Sequence, residues 1–397
     1  MGHVTRDLAI VKELRLINPD VEISWLGSPL SAKVIDEAGE KLLPEADQIA
    51  DYNLPGIQAI SDFGLDLMKY VRAAKEPRRR NVHLLGRLMN KYNFDLIVGD
   101  EIYEIILAMA GGQFRPKCPL IMIEDFIGHE AMENKLAVKL GVYLYSRRWI
   151  EAIIATSPSV THLFVGELED VPDKRYGFLL PNRRRFARKY YHFLGHIVRF
   201  DPAEYADKAK IRAKLGYGNE PLIICATGGT GAGRELLELC GKAYPLLKKG
   251  IPDLHMVCVC GELFGLNPPQ LPSGVELHGY IPDIYEHYAA CDLAIVVGGG
   301  TTTIELTALR KPFLFFPLDN QFDQQLYVSG RIARHGAGFR MEYRQTTPEL
   351  LAKATLENIG RKLEAKPIPF DGARKAAQII GGLLTRPPAI AAPSTGS

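Results

Sequence analysis

The sequence predicts an α/β protein that consists of two parallel-sheet domains. Short apolar segments alternate with longer helical segments, a pattern typical of parallel sheets that are covered by helices. The alternation occurs twice, and the 397 residues are enough for two cores. The predicted strands are residues 22–26, 96–98, 120–123 and 152–155 in the first half, and 222–226, 255–259, 293–297 and 313–316 in the second.

The predicted domain boundary lies near Gly195. Residues 191–198 read as a strand that leads into a crossing between domains, and a polar helix follows Asp201 and Pro202. We therefore assign residues 1–195 to a first domain and residues 196–369 to a second. Residues 370–385 are predicted to form a last helix that returns to the first domain. Residues 386–397 have little to bury and are expected to be disordered.

The composition is that of an ordinary globular protein, with 24% charged residues and a net charge of +2. This balance gives no general reason to expect a nucleic-acid partner. The six cysteines are scattered, which favours reduced structural thiols. The sequence shows neither a secretory leader nor an apolar run of about 18 residues, so we expect a cytoplasmic protein.

A glycine-rich turn between a predicted strand and a helical stretch is the most informative feature. Residues 298–304 read Gly-Gly-Gly-Thr-Thr-Thr-Ile, and Glu305 follows one turn inside the helix. Backbone N–H groups at a helix start bind phosphate, and a carboxylate accepts two hydrogen bonds from a diol. This arrangement predicts a nucleotide-sugar site.

A second glycine-rich turn, residues 227–233, follows the strand predicted at 222–226. It has the glycine spacing of a P-loop, but Arg234 and Glu235 replace the Lys-Ser/Thr pair that holds phosphate and magnesium. The third glycine of a dinucleotide fingerprint is also absent, because Arg234 occupies that position. An NTPase and a dinucleotide enzyme are therefore not expected, whereas a purely structural turn remains an alternative.

Residues 280–325 resemble the donor domain of GT-B glycosyltransferases. The nearest group contains the GlcNAc transferase of lipid II synthesis and the monogalactosyldiacylglycerol synthases. The resemblance implies two Rossmann-like, doubly wound domains that face each other across a cleft. The matching positions, counted from Glu305, are Gly299, Thr302, Pro312, Pro317, Gln324 and Gln325.

The resemblance also implies the roles of the donor residues. Glu305 would hold the ribose hydroxyls, backbone at Tyr280 and Ile281 would pair with the base, and Gln324 and Gln325 would bind the sugar. The diphosphate would be held by Thr230-Gly231 and by Gly300-Thr301-Thr302. Further donor-binding positions are Gly228, Gly229 and Gly299. Helix starts and loop amides would stabilise the diphosphate, so neither a metal nor a cofactor is expected. A helix-dipole carboxylate and a solvated glutamine face are the structural alternatives.

Residues 2–14 resemble the first glycine-rich loop and helix of the same family, whose histidine faces the cleft. His3 would then be the catalytic base, kept neutral near pH 7 by the nearby helix start, although a lone surface histidine is the alternative. Asp100-Glu101 and Glu124-Asp125 both follow strands, and either pair is placed to assist it. A strand precedes this histidine in the family, so we expect the natural reading frame to begin upstream of Met1.

Two basic clusters, within residues 72–91 and 183–189, suit an anionic membrane surface or a phosphorylated acceptor, although solvated loops are the alternative. We predict an inverting glycosyltransferase that moves a hexose or N-acetylhexosamine from a UDP-sugar to a hydroxyl of a small molecule or a lipid. A cell-envelope precursor at the inner face of the membrane is one such acceptor. A nucleotide-sugar 2-epimerase and an inactive UDP-sugar-binding partner protein are the alternatives.

Overall fold

The computed structural model describes residues 2–385, except 52, 62, 229–232 and 262–267. The tail predicted at 386–397 lies outside the described residues. A four-stranded sheet occupies the first half and a six-stranded sheet the second, and all strand pairs within both are parallel. The predicted α/β class with two parallel-sheet domains is therefore confirmed.

The sheet of the first half has the strand order β3-β4-β5-β6, and a short antiparallel hairpin, β1-β2, lies outside it. The strands of the first half are β1 (Ile60–Ser61), β2 (Gly64–Leu65), β3 (Ile97–Asp100), β4 (Leu120–Glu124), β5 (Val160–Phe164) and β6 (Tyr191–Phe193). Its helices are α1 (Gly2–Ile17), α2 (Pro29–Glu37), α3 (Asn53–Gln58), α4 (Leu67–Lys91), α5 (Tyr103–Ala110), α6 (Leu136–Thr156) and α7 (Arg183–Tyr190).

Two strands predicted in the first half are wrong. Residues 22–26 form no strand, and Trp25 makes only an isolated bridge to Leu42, because no described strand lies alongside to pair with this segment. Residues 152–155 belong to α6, where Trp149, Ile150 and Ile153 bury one helical face. The strand follows that helix as β5.

The second half has the strand order β12-β11-β10-β7-β8-β9. Its strands are β7 (Leu222–Ala226), β8 (His255–Val259), β9 (Val275–His278), β10 (Leu293–Val297), β11 (Phe313–Phe316) and β12 (Phe339–Arg340). Its helices are α8 (Lys208–Leu215), α9 (Arg234–Gly250), α10 (Ile284–Ala290), α11 (Gly300–Ala308), α12 (Ser329–His335), α13 (Pro348–Asn358) and α14 (Gly372–Leu384). The order reverses between β7 and β10, and ligands bind beyond the carboxyl ends of strands at such a switch point.

The last helix, α14, packs against α1 of the first domain. Ala376 and Ala377 are buried there beside Ile10 and Leu14, and these small side chains let the two helices approach closely. This packing fixes the start of α1 at one edge of the cleft. None of the helices in the described part of the chain has the length and apolarity that a membrane crossing requires.

Other contacts join the two domains beside the cleft. Phe63, in the β1-β2 turn, is fully buried in the core of the second domain and stacks on Tyr343 with ring centroids 4.2 Å apart. Its carbonyl accepts a hydrogen bond from the Asp319 amide at 2.9 Å. The Tyr327 hydroxyl bonds both backbone groups of Ile127 in the first domain. The arrangement of the two domains is therefore held by apolar packing and hydrogen bonds.

Candidate active site

A cavity of about 2330 Å³ lies between the two domains and receives the predicted site residues from both. The start of α1 and the start of α11 meet at this cavity. A Cβ atom added to Gly2 would lie only 2.5 Å from the Thr301 hydroxyl, so a larger residue at position 2 would displace Thr301. Two helix starts therefore face each other, which concentrates backbone N–H groups and positive dipole ends.

The turn after β10 exposes its backbone to the cavity. The helix after the glycine run begins earlier in the sequence than predicted. Gly300 and the three threonines form the first turn of α11, and Gly299 is its N-cap. A Cβ atom on Gly299 or Gly300 would meet nothing within 4 Å, which leaves room for a ligand against the chain. Thr302 borders the same space. This turn has the form of an anion site.

The turn after β7 is described only in part. Gly228 adopts a left-handed φ of +82° and borders the cavity, and Gly233 has a φ of +93° as the N-cap of α9. Both conformations favour glycine, which explains these residues in the sequence. Gly229, Thr230 and Gly231, three of the predicted donor-binding residues, lie outside the described residues.

Glu305 is buried, with 2% of its surface exposed, and borders the cavity. Burial raises the pKa of its carboxyl to about 6, against the opposing effect of the Arg199 guanidinium. Arg199 Nε donates to Glu305 Oε1 at 3.2 Å, and its guanidinium lies over the ring of Tyr285. Sequence reasoning missed Arg199, which stands four residues beyond Gly195 on the domain crossing. A ligand diol at Glu305 would compete with this cation.

Tyr280 and Ile281 follow β9 and line the same cavity as Glu305. The two predicted glutamines differ from each other. Gln324 is buried at the cavity wall, and its Oε1 accepts from the Leu318 amide at 2.9 Å. Gln325 donates to the Leu318 carbonyl at 3.0 Å and accepts from Arg340. Gln324 therefore adjoins the cleft, whereas the amide of Gln325 is engaged with the loop and with Arg340.

His3 lies at the start of α1, with 45% of its side chain exposed. Its Nδ1 lies 3.0 Å from Asp100 Oδ1, and Nε2 lies 4.0 Å from Glu101. Arg6 Nη2 also lies 2.9 Å from Nδ1, but a guanidinium only donates, so the contact that orients the ring is Nδ1–H to Asp100. This tautomer leaves the lone pair of Nε2 on the other side of the ring.

Arg6 is the central cation of this cluster, and sequence reasoning missed it. Its side chain is 8% exposed and donates to both oxygens of Asp100, at 2.8 and 2.5 Å. A further nitrogen lies 2.8 Å from Asp125. Arg6 stands one helical turn after His3, a spacing that places both on one face of α1. It fixes the carboxylate that orients the histidine.

The expectation of a neutral His3 is corrected by these surroundings. Burial and Arg6 lower its pKa, but Asp100, Glu101 and Asp125 outweigh them and raise the pKa to about 9. Burial, reinforced by Asp125, raises the pKa of Glu101 well above its ordinary value. The surrounding carboxyl groups therefore favour the imidazolium form, against the neutral ring expected from the helix start.

Asp100 is the carboxylate that contacts His3 Nδ1, and Asp125 of the other acidic pair lies close to the same histidine. Glu124 is fully buried and accepts from His162 Nδ1 at 2.8 Å inside the first domain, so it faces away from His3. Ligand atoms of His3, Glu101 and Asp125 lie within 4.8 Å of one another, a spacing that a metal ion also tolerates. Arg6 already supplies positive charge to Asp125 at this point.

One side of the cavity has an aromatic wall. Phe126 and Phe322 meet edge to face with centroids 4.8 Å apart, and His129 lies against both Phe322 and Tyr145. Burial lowers the pKa of His129 to about 3, so the ring is neutral. These residues come from both domains, which explains why no local sequence pattern identified them.

Some members of the two basic clusters are engaged within the protein. Arg183 is only 1% exposed and donates to Glu130 and to the His129 carbonyl, so it cannot face a lipid surface. Arg79 is paired with Glu76 on exposed α4. Arg78 donates to the Tyr70 hydroxyl at 2.9 Å and borders the cavity. Arg183, the first residue of the second basic cluster, therefore has a structural role.

Comparison with known proteins agrees with this geometry. Residues 223–377 match the glycosyltransferase family 28 C-terminal domain. A UDP-N-acetylglucosamine–N-acetylmuramyl-(pentapeptide) pyrophosphoryl-undecaprenol N-acetylglucosamine transferase of Glaesserella parasuis is 24% identical over 96% of this chain and 95% of its own. An uncharacterized glycosyltransferase of Methanosarcina acetivorans is 25% identical over 88% of this chain and 83% of its own.

A solved structure shows the same fold. The glycotransferase of kitacinnamycin superposes with a TM-score of 0.58 at 17% identity and covers 96% of this chain and 94% of its own. Its likeness extends over both domains. The protein therefore has the GT-B fold, and the match at residues 223–377 together with these relatives makes it a glycosyltransferase.

Proposed function

We propose that this enzyme transfers N-acetylglucosamine from UDP to a hydroxyl of a lipid-linked saccharide, with inversion at the sugar. The observation that carries the proposal is the meeting of the α1 and α11 starts, which brings His3 beside a turn suited to a diphosphate. The donor and acceptor named here follow the printed activity of the Glaesserella parasuis relative.

The donor is proposed to lie along the second domain. Its diphosphate would rest on the backbone of Gly299, Gly300 and Thr301, where there is open space beside the chain. The ribose hydroxyls would displace Arg199 and donate hydrogen bonds to Glu305. Tyr280 and Ile281 would border the base. Gln324 is proposed to contact the sugar, and Gly228 to border the diphosphate.

The reaction is proposed to proceed in one displacement. The acceptor oxygen bonds to the anomeric carbon while the bond from that carbon to the diphosphate oxygen breaks. In its neutral form, His3 takes the acceptor proton at Nε2, and Asp100 holds the resulting imidazolium. The leaving UDP carries the electron pair, and the α11 amides stabilise its charge. Arg6 and the helix starts supply the positive field, so the proposal needs no metal and no cofactor.

The test supplies UDP-N-acetylglucosamine with N-acetylmuramyl-pentapeptide pyrophosphoryl-undecaprenol and measures UDP release and product mass. We expect release that depends on the acceptor, and a product heavier by one N-acetylhexosamine. The carboxyl-rich cleft also suits the acid–base chemistry of a 2-epimerase. Epimerised sugar formed without acceptor would favour that reaction, and UDP binding with no turnover of any sugar would indicate an inactive binding protein.

Glu305→Ala is expected to weaken UDP binding about ten- to a hundred-fold, because it removes a charge-assisted contact of about 1.5–3 kcal/mol. The affinity of the wild-type protein for UDP should also fall as the pH drops through about 6, where the Glu305 carboxyl gains a proton. Calorimetric titration measures both. Glu349→Ala, an exposed carboxylate in the first turn of α13, is the matched control. Equal affinity in wild type and Glu305→Ala would remove Glu305 from the donor site.

A membrane surface is proposed on α6. One face of this helix lines the cavity with Val138 and Tyr145, and the other exposes Leu136, Leu140 and Leu144, which are 82%, 55% and 54% exposed. Phe178 and Leu179 are 80% and 77% exposed, and their loop is bonded to α6 through Tyr143. Basic neighbours suited to anionic lipid are Lys135, Lys139, Arg147, Arg148, Lys174 and Arg175.

The double change Leu140→Asp and Leu144→Asp is expected to abolish sedimentation with anionic liposomes at low salt. Wild-type binding should weaken as salt rises, because screening shortens to about 8 Å at physiological ionic strength. Leu350→Asp with Leu356→Asp on α13 is the matched control, since both leucines are exposed on the second domain. Liposome binding that is unchanged in the α6 double variant would assign the membrane contact to another surface.

A further inference from the structure

A cluster of potential metal ligands lies away from the cleft, where the two domains and the crossing between them meet. Glu167 and Asp170 belong to the short turn after β5, His196 belongs to the crossing, and His335 ends α12. Ligand atoms of Glu167, His196 and His335 all lie within 4.8 Å of one another. The cluster therefore collects side chains from three separate parts of the chain.

His196 makes this cluster unusual. It is fully buried, and neither ring nitrogen has a hydrogen-bond partner among the described residues. Its backbone is fixed, because its N–H donates to the Pro369 carbonyl at 2.7 Å and its own carbonyl accepts from Gly372. Buried polar groups in proteins are nearly always bonded, so an unpartnered imidazole needs a physical reason.

The ring is directed at two carboxylates. His196 Nε2 lies 3.7 Å from Asp170 Oδ2 and 3.9 Å from Glu167 Oε2, which is beyond hydrogen-bond distance. His335 Nε2 lies 3.1 Å from the same Glu167 oxygen. Zinc bonds of about 2.0–2.2 Å give a tetrahedron with edges of about 3.3–3.6 Å. The three observed separations lie around that edge length, so small side-chain movements would surround an ion.

We propose that Glu167, His196 and His335 bind a zinc ion, with Asp170 as the fourth ligand. Imidazole and carboxylate together suit zinc among the common divalent metals. Because the ligands come from both domains and from the crossing, the ion joins the two domains. Zinc binding then stabilises this arrangement of the two domains.

Arg334 competes with the ion. Its Nη2 donates to Glu167 Oε2 and Asp170 Oδ1, both at 2.7 Å, and supplies the charge that the carboxylates otherwise need. Its side chain is 28% exposed, so it can turn to solvent when zinc enters. The Asp170 oxygen that faces His196 is the other one, Oδ2. Removing Arg334 should therefore tighten zinc binding.

The experiment strips the full chain with a chelator, dialyses it against zinc and measures metal by mass spectrometry and unfolding temperature with and without zinc. We expect one zinc per chain at this cluster and a higher unfolding temperature when it is bound. His196→Asn and His335→Gln should each lose that zinc and the rise in temperature, whereas Arg334→Gln should bind it more tightly. His192→Gln, an exposed histidine on the neighbouring strand, is the matched control and should retain it.

A second group with metal-ligand spacing is formed in the cleft by His3, Glu101 and Asp125. The variant His3→Gln distinguishes the two groups, because it should keep the zinc bound by the cluster around His196. Anomalous diffraction at the zinc edge locates the ion in wild type without any variant. The proposal is overturned if stripped protein takes up no zinc, if His196→Asn and His335→Gln fold and keep all of it, or if only His3→Gln loses it.

Discussion

Replacing His3 with alanine is expected to lower kcat by about 10²- to 10⁴-fold while UDP affinity stays near the wild-type value. His3 is proposed to take the acceptor proton through Nε2, whereas the groups proposed to hold UDP lie on the second domain. The loss should therefore appear in turnover and not in donor binding. Initial rates at saturating UDP-sugar, together with calorimetric titration of UDP, measure the two quantities separately.

The pH dependence of kcat/KM tests more specifically whether His3 is the base. A base works only when deprotonated, so a pKa of about 9 predicts that log kcat/KM rises with pH up to about 9. Asp100→Asn removes a carboxylate that raises this pKa, so the rise should end at lower pH, with a lower plateau because the ring is less well oriented. His83→Ala, an exposed histidine on α4, is the control. A wild-type profile that is flat between pH 6 and about 9 would show that His3 is not the base.

The glycine turn before α11 was predictable because its pattern is local in sequence. A buried strand, a glycine turn and a helix start follow one another within residues 293–308, and Glu305 lies one turn further on the same helix. The folded chain adds the neighbouring β7 turn because the strand order reverses at β7 and β10. Pattern and topology thus point to the same edge of the sheet.

The long-range contacts of the site were less predictable because they join residues that are distant in the sequence. Asp100 meets His3 from 97 positions away, and Arg199 meets Glu305 across 106. The wrong strand at 152–155 arose because a short apolar run buried in a helix has the composition of a strand. The pKa of His3 depends on three carboxyl groups that only folding brings together.

Replacing Arg6 with methionine is expected to lower the free energy of unfolding by about 3 kcal/mol, because it leaves the buried carboxylate of Asp100 without its main partner. Arg6 holds the pKa of Asp100 well below its ordinary value, against the effect of burial. A carboxyl with a depressed pKa contributes stability above its unfolded pKa and loses it as pH falls. The difference between wild type and Arg6→Met should therefore be large at pH 7 and shrink toward pH 3. Urea unfolding at several pH values measures this difference.

Arg15→Met is the matched control for this charge cluster. Arg15 lies on the same helix and pairs with both oxygens of Glu40, but its side chain is 45% exposed, so its loss should cost about 1 kcal/mol or less. Adding Asp100→Asn to Arg6→Met should recover part of the lost stability, because the buried charge of Asp100 is then removed together with its partner. If Arg6→Met and Arg15→Met destabilise the protein equally at pH 7, or if the double variant is less stable than Arg6→Met, the Arg6–Asp100 pair is not what holds the start of α1 against the cleft.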